Sequence, residues 1–282
     1  MIKLTFENEV VNGDTSANIT VPGGMGGKPI KIESDKKYLW LCLEGIKERA
    51  IVYAPKGLYE FVVPEGEVTH AFEPGRFDSE FTLSCEIATD EDIYSRRNLA
   101  LNPLDMQFES EVNPYDAENY VNPVDSAAIK NDEVLGFPHI YGNRITRHEG
   151  WFYARNVIDG MNTKGGHGDY PYHSWGTSQC KDANIIIYFG RKVKIDTVYL
   201  ALRSDYELIR EGLEHDTYWV SGTLEFSDGT EEIIHPVKSG DYQEFKIAER
   251  VVEWVRLKDL VPACTENFAS LNQIKIMGQD IK

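Results

Sequence analysis

The sequence predicts an all-β protein made of two β-sandwich domains, one over residues 1–95 and one over residues 96–282. Short runs of alternating apolar and polar residues recur along the chain, and this is the period of half-buried strands. Clusters rich in Gly, Pro, Asn and Asp separate the runs, as turns do. Helical periodicity is scarce, with residues 205–214 the one stretch whose pattern suits a short helix.

In the first domain the clearest strand is the apolar run 37–43, which is typical of a buried strand. Residues 50–53 and 58–63 also form strand patterns, and Pro55-Lys56-Gly57 between them predicts a hairpin turn. Residues 77–83 give another strand. The charge-rich segment 89–97 predicts a connector with a helical turn, which leads into the second domain.

In the second domain the alternation is stronger. Strands are predicted at residues 183–190, 193–203, 219–226, 232–235, 243–247, 251–257 and 273–277. Their regular spacing, with turn signals such as Ser227-Asp228-Gly229 between them, favours a sandwich or jelly roll.

The composition excludes several classes of partner. The net charge is −17, so the chain repels phosphate backbones and anionic lipid surfaces, and we expect neither a nucleic-acid nor a membrane partner. The four cysteines are scattered, with no paired spacing, which predicts free thiols in apolar surroundings rather than a metal finger or a redox motif.

The N-terminal residues alternate as a strand does and lack the apolar core of a signal peptide. No apolar run approaches the roughly 20 residues that a membrane-spanning helix needs. These features predict a cytoplasmic protein, or a secreted one whose leader has been removed.

One stretch, from residue 154 to residue 175, suggests a ligand loop. It opens with an apolar pair followed by Asp159-Gly160, which suits a turn. Gly165, Gly166, Gly168 and Pro171 then prevent regular structure. The loop carries two His, two Tyr and a Trp, side chains that stack and form hydrogen bonds, and a buried strand follows it.

Several segments of the second half, in order, resemble the galactose-binding-like jelly roll of discoidin (factor V/VIII type C) domains and bacterial carbohydrate-binding modules. The segments are Asn98-Leu99-Ala100, the run from Ala154 to Gly160, Ser174-Trp175, the paired strands 185–190 and 193–198, and the closing strand 269–276. The resemblance covers about residues 97–282. No resemblance emerges for residues 1–95, and their role is left open.

The resemblance implies a non-catalytic, lectin-like protein that binds a sugar through loops at one end of the jelly roll. Aromatic rings stack on the apolar face of a pyranose, and charged side chains bond its hydroxyl groups. The predicted ligand residues are His167, Tyr170, Tyr172, His173, Trp175, Arg203, Asp205, Tyr206, His215, Asp216 and Trp219. For each of them a structural role is the alternative, and for Trp175 and Trp219 a place in the core is the stronger one.

The resemblance also implies a structural calcium ion beside the Asp-Gly turn, because many bacterial members hold one there. Asp159 matches the acidic ligand, and Thr163 or neighbouring carbonyls could add oxygens. This chain has Gln273 where the family often has Glu, which weakens a site for a hard cation.

Two other functions stay open at this stage. A protein-interaction or adhesion module of discoidin type would use the N-terminal domain for docking or for forming oligomers. A glycan-active hydrolase would need two carboxylates at a defined separation, which the sequence does not reveal.

Overall fold

The computed structural model describes residues 1–105, 134–177, 179–205, 218–264 and 268–282. The predicted all-β fold class is confirmed, since antiparallel strands account for nearly all of the regular structure in these residues. No helix in this part of the chain has the length and apolar character that crossing a membrane requires.

The first eight strands build two four-stranded antiparallel sheets, which we call the N-terminal sandwich. They are β1 (Ile2–Phe6), β2 (Glu9–Gly13), β3 (Ser16–Val21), β4 (Pro29–Ser34), β5 (Tyr38–Leu43), β6 (Ala50–Tyr53), β7 (Leu58–Val62) and β8 (Phe81–Ile87). One sheet has the order β2-β1-β4-β7 and the other β3-β8-β5-β6. Alternate residues of β3 and β4 are buried, which places the core between the sheets.

Two predictions for this region are wrong in detail. Pro55-Lys56-Gly57 does not close a hairpin, because β6 pairs with β5 in one sheet while β7 pairs with β4 in the other. The turn therefore carries the chain between sheets. The strand expected at 77–83 begins at Phe81, and Phe77 instead packs edge-on against its ring, with centroids 5.3 Å apart.

A short α-helix, α1 (Asp90–Tyr94), forms in the predicted connector. The Thr89 side chain accepts a hydrogen bond from the Asp92 amide, and the Asp92 carboxylate accepts one from the Thr89 amide. This reciprocal capping box satisfies two amide groups at the start of the helix and fixes where it begins.

The second half forms one eight-stranded sheet that folds over itself as a jelly roll. Its strands are β9 (Arg97–Asn98), β10 (His139–Gly142), β11 (Trp175–Gly176), β12 (Ile185–Leu202), β13 (Trp219–Phe226), β14 (Glu231–Ile234), β15 (Gln243–Pro262) and β16 (Ser270–Asp280). The main order is β11-β16-β12-β15-β13-β14; β10 also pairs with β12, and β9 with β16. All of these pairings are antiparallel.

Strands β12 and β15 are longer than the sequence predicts. The predicted runs 183–190 and 193–203 join into the single strand β12, which begins at Ile185, and the runs 243–247 and 251–257 join into β15. Their pairing shifts register between Tyr188 and Val193 and again between Ile195 and Thr197. Bulges of this kind bend a strand, so one hydrogen-bonded sheet can cover both sides of the apolar core.

The two halves meet through a buried charged cluster around Asp280, at the end of β16. The Asp280 carboxylate is 2.5 Å from Arg97 Nη2 and 2.9 Å from Arg191 Nη2, and it accepts a hydrogen bond of 2.9 Å from the Tyr38 hydroxyl of β5. Only 2% of the Asp280 side chain is exposed. Burial alone would raise the pKa of this carboxyl, but the two guanidinium groups outweigh it and hold the pKa below its usual value.

A second junction joins backbones directly. Tyr53, at the end of edge strand β6, exchanges hydrogen bonds of 2.7 and 2.9 Å with Phe137, which precedes β10. The C-terminal half therefore extends the β3-β8-β5-β6 sheet of the N-terminal sandwich by one bridge.

Candidate functional site

The glycine-rich loop and the residues that follow β12, Arg203 to Asp205, lie together at one end of the jelly roll. The Gly165 amide donates a hydrogen bond of 3.2 Å to Ser204 Oγ, and His167 Nδ1 lies 2.7 Å from Asp205 Oδ2. The Arg203 amide donates to the Ser270 carbonyl at 3.0 Å, which fixes the end of β12 beside the start of β16. The glycine-rich loop and the segment 203–205 thus share one rim.

Arg203, Asp205 and His167 are joined in a continuous row of polar contacts at this rim, which we call the Arg203–Asp205–His167 chain. Arg203 Nε donates to Asp205 Oδ1 at 2.8 Å, and the Arg203 side chain is only 4% exposed. Burial by itself would raise the pKa of the Asp205 carboxyl. The hydrogen bond with His167 and the charge of Arg203 outweigh that effect and lower the pKa to about 2, so the carboxylate is ionised at neutral pH.

The side chains of the Arg203–Asp205–His167 chain line a pocket of about 290 Å³. The pocket is lined by Thr146, Arg147, Phe152, His167, Thr177, Arg203, Asp205, Phe268, Ala269 and Ser270. Among the exposed large apolar residues in the described part of the chain, Phe268 is the one aromatic residue, and 52% of it is exposed. The pocket therefore combines charged groups with an accessible aromatic ring.

Phe268 and Phe152 line the pocket, although neither was predicted to do so. Phe268 is a single large apolar residue just before the closing strand β16, and that isolation is a signal that could have identified it. Phe152 belongs to a short 3₁₀ turn, Gly150–Phe152, and nothing in its local pattern predicts that it faces the pocket.

The prediction that Trp175 and Trp219 stack on a ligand is wrong. Both rings belong to the core, with exposures of 0% and 3% and centroids 6.0 Å apart. Trp175 Nε1 donates a hydrogen bond of 2.8 Å to the Arg144 carbonyl, which satisfies its polar group inside the protein. Neither ring lines the pocket beside Phe268.

His173 and the two tyrosines of the loop also lie outside the pocket. His173 is 2% exposed, and its Nε2 lies 2.6 Å from Asp159 Oδ2, so it has a structural role. Tyr170 stacks on His173 with centroids 5.5 Å apart and faces a small cavity against the N-terminal sandwich. Tyr172 is half-buried and packs on Gly166.

Three further predicted ligand residues, Tyr206, His215 and Asp216, lie outside the described residues, as does nearly all of the segment 205–214 where a short helix was predicted. Of the residues predicted to bind ligand, His167, Arg203 and Asp205 are the ones that the structure brings together in the pocket.

The Asp-Gly turn carries a hydrogen-bonded network where a calcium ion was predicted. Gly160 takes a φ of +89°, which allows the sharp turn after Asp159. Gln273 Nε2 donates to Asp159 Oδ1 and to the Asn156 carbonyl, each at 2.7 Å, while Gln273 Oε1 accepts from the Gly160 amide at 3.0 Å. The Met161 amide also donates to Asp159 Oδ1, at 2.8 Å.

These donors do not suit a hard cation. Calcium takes six to eight oxygen ligands, whereas N–H groups of Gln273, Met161 and His173 point at the Asp159 carboxylate. The Thr163 carbonyl, another predicted ligand, accepts from Asn272 Nδ2 at 3.1 Å. The residues at this turn therefore do not fit calcium, because the Gln273 amide bonds Asp159 directly.

We accordingly expect the melting temperature to be the same, within about 1 °C, in excess chelator and in millimolar calcium chloride. An ion held at about 100 times its Kd would stabilise the folded state by about 2.7 kcal/mol and raise the melting temperature by several degrees. A differential scanning fluorimetry pair in the two buffers measures this, and a calcium-dependent rise of that size would contradict the interpretation.

No family model matches the chain, and no curated protein matches it. Solved structures do. One is the family 32 carbohydrate-binding module of Clostridium perfringens NanJ in complex with galactose, at 14% identity and a TM-score of 0.35, covering 49% of this chain and 91% of that one. Another is a fucose-binding module from Streptococcus pneumoniae, at 12% identity and a TM-score of 0.35, covering 49% and 92%.

A third is a Ruminococcus gnavus GH29 fucosidase in complex with fucose, at 15% identity and a TM-score of 0.36. The match covers 51% of this chain and 25% of the enzyme. The first two of these structures are carbohydrate-binding modules, and the third is a fucosidase of which a quarter is matched. Each match extends over about half of the chain.

Proposed function

We propose that this protein is a non-catalytic carbohydrate-binding protein and that the pocket beside Phe268 holds one sugar ring. The observation that carries the proposal is the convergence of the Arg203–Asp205–His167 chain and the exposed Phe268 ring on a single pocket. The pocket's volume of about 290 Å³ lies just below the range of about 300–1,000 Å³ for ligand sites, which suits a single ring better than a large ligand.

The chemistry of the pocket suits a pyranose. A pyranose has an apolar face of C–H groups and a rim of hydroxyl groups. The Phe268 ring offers a surface for the apolar face, and the ionised Asp205 carboxylate accepts hydrogen bonds from hydroxyl groups. Asp205 is held in place by Arg203 and His167, so little side-chain entropy is lost when a ligand binds.

The same geometry argues against hydrolysis. Glycosidases generally use two carboxyl groups, one of them a general acid with a raised pKa. Asp205 is the one carboxylate among the described residues that line the pocket, and its pKa is lowered to about 2. A carboxyl group of that kind does not donate a proton near neutral pH.

Replacing Phe268 with alanine is expected to weaken binding about tenfold, because the stacking surface for the sugar is removed. Isothermal titration calorimetry with galactose, fucose, N-acetylgalactosamine and N-acetylglucosamine measures the Kd. The change should leave the melting temperature nearly unaltered, since Phe268 is 52% exposed.

Ile233→Ala is the matched control, because Ile233 is another exposed apolar residue, 68% exposed on edge strand β14. It should bind the same sugars as the wild type does. If the wild-type protein binds none of the sugars but captures a protein in a pull-down, the adhesion alternative replaces this proposal. An unchanged Kd for Phe268→Ala would place the sugar elsewhere.

A further inference from the structure

One wall of the pocket is formed by a turn that the N-terminal sandwich holds. Phe152 lines the pocket and is the last residue of the 3₁₀ turn Gly150–Phe152. Its ring is only 4% exposed and packs over Gly176, where an added Cβ would lie 3.0 Å from the ring. The position of this ring therefore depends on what fixes the turn.

On one side, the turn is fixed by a 3₁₀ helix of the N-terminal sandwich, Gly66–Ala71. The His70 ring stacks on Trp151 with centroids 4.5 Å apart and an angle of 28° between the planes. Glu67 Oε2 accepts a hydrogen bond of 3.2 Å from the Gly150 amide and lies 3.1 Å from His70 Nδ1. The carboxylate thus links the stacked ring to the turn.

The approach is so close that only glycine fits at position 150. A Cβ there would lie 1.8 Å from the Glu67 carbonyl oxygen, far inside van der Waals contact. Backbone approach of this kind is a recurrent reason for glycine at a packed junction. The turn Gly150–Phe152 and the 3₁₀ helix Gly66–Ala71 are therefore closely packed against each other, backbone against backbone.

On its other side, the turn is bonded to the end of the glycine-rich loop. The Trp151 carbonyl accepts a hydrogen bond of 2.8 Å from the Ser174 amide. Asn156 Nδ2 donates to the Gly150 carbonyl at 3.0 Å and to the Ser174 carbonyl at 3.3 Å. Displacement of the turn would be passed on both to Phe152 and to the loop that carries His167.

We propose that the N-terminal sandwich is a positioning element of the sugar pocket, acting through His70 and Glu67 on the turn Gly150–Phe152. The proposal rests on the function proposed above and assigns to residues 1–95 a part in ligand affinity. His70 is a positioning residue, because it touches Trp151 rather than the pocket.

The test compares three variants of the full chain. His70→Ala removes the stacked ring and should raise the Kd for the tightest-binding monosaccharide about three- to tenfold. His70→Phe keeps a flat ring over Trp151 and should restore most of the affinity. Tyr38→Phe removes the hydroxyl that bonds Asp280 elsewhere in the same junction; it should lower the melting temperature and leave the Kd unchanged.

Amide hydrogen exchange gives a readout that does not depend on sugar. His70→Ala should speed exchange at the Ser174 and Phe152 amides, both of which are hydrogen-bonded through this turn, while Tyr38→Phe should not. Unchanged exchange and an unchanged Kd in His70→Ala overturn the proposal, as does an equal loss of affinity in Tyr38→Phe. A wild-type protein that binds no sugar refutes the proposed function, and unchanged exchange in His70→Ala would then overturn the positioning role independently.

Discussion

The Arg203→Ala variant is expected to lose measurable sugar binding and about 3 kcal/mol of the free energy of unfolding. Arg203 is almost fully buried and holds Asp205 at 2.8 Å, so its removal leaves a largely desolvated carboxylate without its guanidinium partner. Breaking a buried ion pair by removing one member typically costs about 3–5 kcal/mol. Calorimetric titration measures the binding, and urea denaturation measures the stability.

Two variants separate binding from stability. The double variant Arg203→Ala/Asp205→Ala removes both charges, so it should regain part of the stability and none of the binding. Arg250→Ala removes another largely buried arginine, which pairs with Glu232 far along the sheet, and it should lower stability while leaving the Kd unaltered. A sugar Kd in Arg203→Ala equal to that of the wild type would exclude the pocket.

The pH dependence of stability gives a second readout for the same pair. The pKa of Asp205 is about 2 in the folded protein against an ordinary value of 3.8, so the folded carboxyl holds its proton less tightly than the unfolded one. As the pH falls, the unfolded state takes up the proton first. The contribution, about 2 kcal/mol, is therefore complete above pH 4 and is lost as the pH falls toward 2. Arg203→Ala should show a smaller loss in this range.

The Asp280→Ala variant is expected to lose about 4 kcal/mol, the largest loss of stability among these substitutions. It would leave the guanidinium groups of Arg97 and Arg191, which are 16% and 10% exposed, facing each other without a carboxylate between them. The Tyr38 hydroxyl would lose its acceptor as well. Chemical denaturation of the full chain measures the change.

Asp196→Ala is the control for this substitution. Asp196 also pairs with an arginine, Arg96, but the two side chains are 38% and 47% exposed, and exposed pairs contribute about 0–1 kcal/mol. A loss below about 1 kcal/mol in Asp280→Ala, equal to that of the control, would mean that the cluster does not hold the two halves together.

The strands with clean alternation could be predicted from the sequence, because a period of two depends only on neighbouring residues. The segment 219–226 matches β13 residue for residue. The continuity of β12 could not be predicted, because a glycine between two strand patterns, here Gly190, is typical of a turn. In the structure Gly190 has a φ of +66° and yet lies within the strand. Only the partner strands show that this residue lies within a bulge of one long strand.

The polar part of the pocket could be predicted from the sequence, because His167, Arg203 and Asp205 are polar or charged residues in segments whose composition is typical of loops. Its aromatic part was not, because a ring in a loop has the same sequence signature whether it points inward or outward. Trp175 turns into the core, where its indole nitrogen finds a carbonyl, while Phe268 stays at the surface. That choice depends on tertiary packing, which the local pattern does not contain.

The backbone bridge between Tyr53 and Phe137 also affects how an isolated N-terminal fragment of this protein would behave. Strand β6 is the outermost of its sheet, and an uncovered strand of this kind offers free amide and carbonyl groups to any other chain. The C-terminal half supplies a cap at that position. A fragment that ends after the N-terminal sandwich would lose the cap and become prone to self-association through β6.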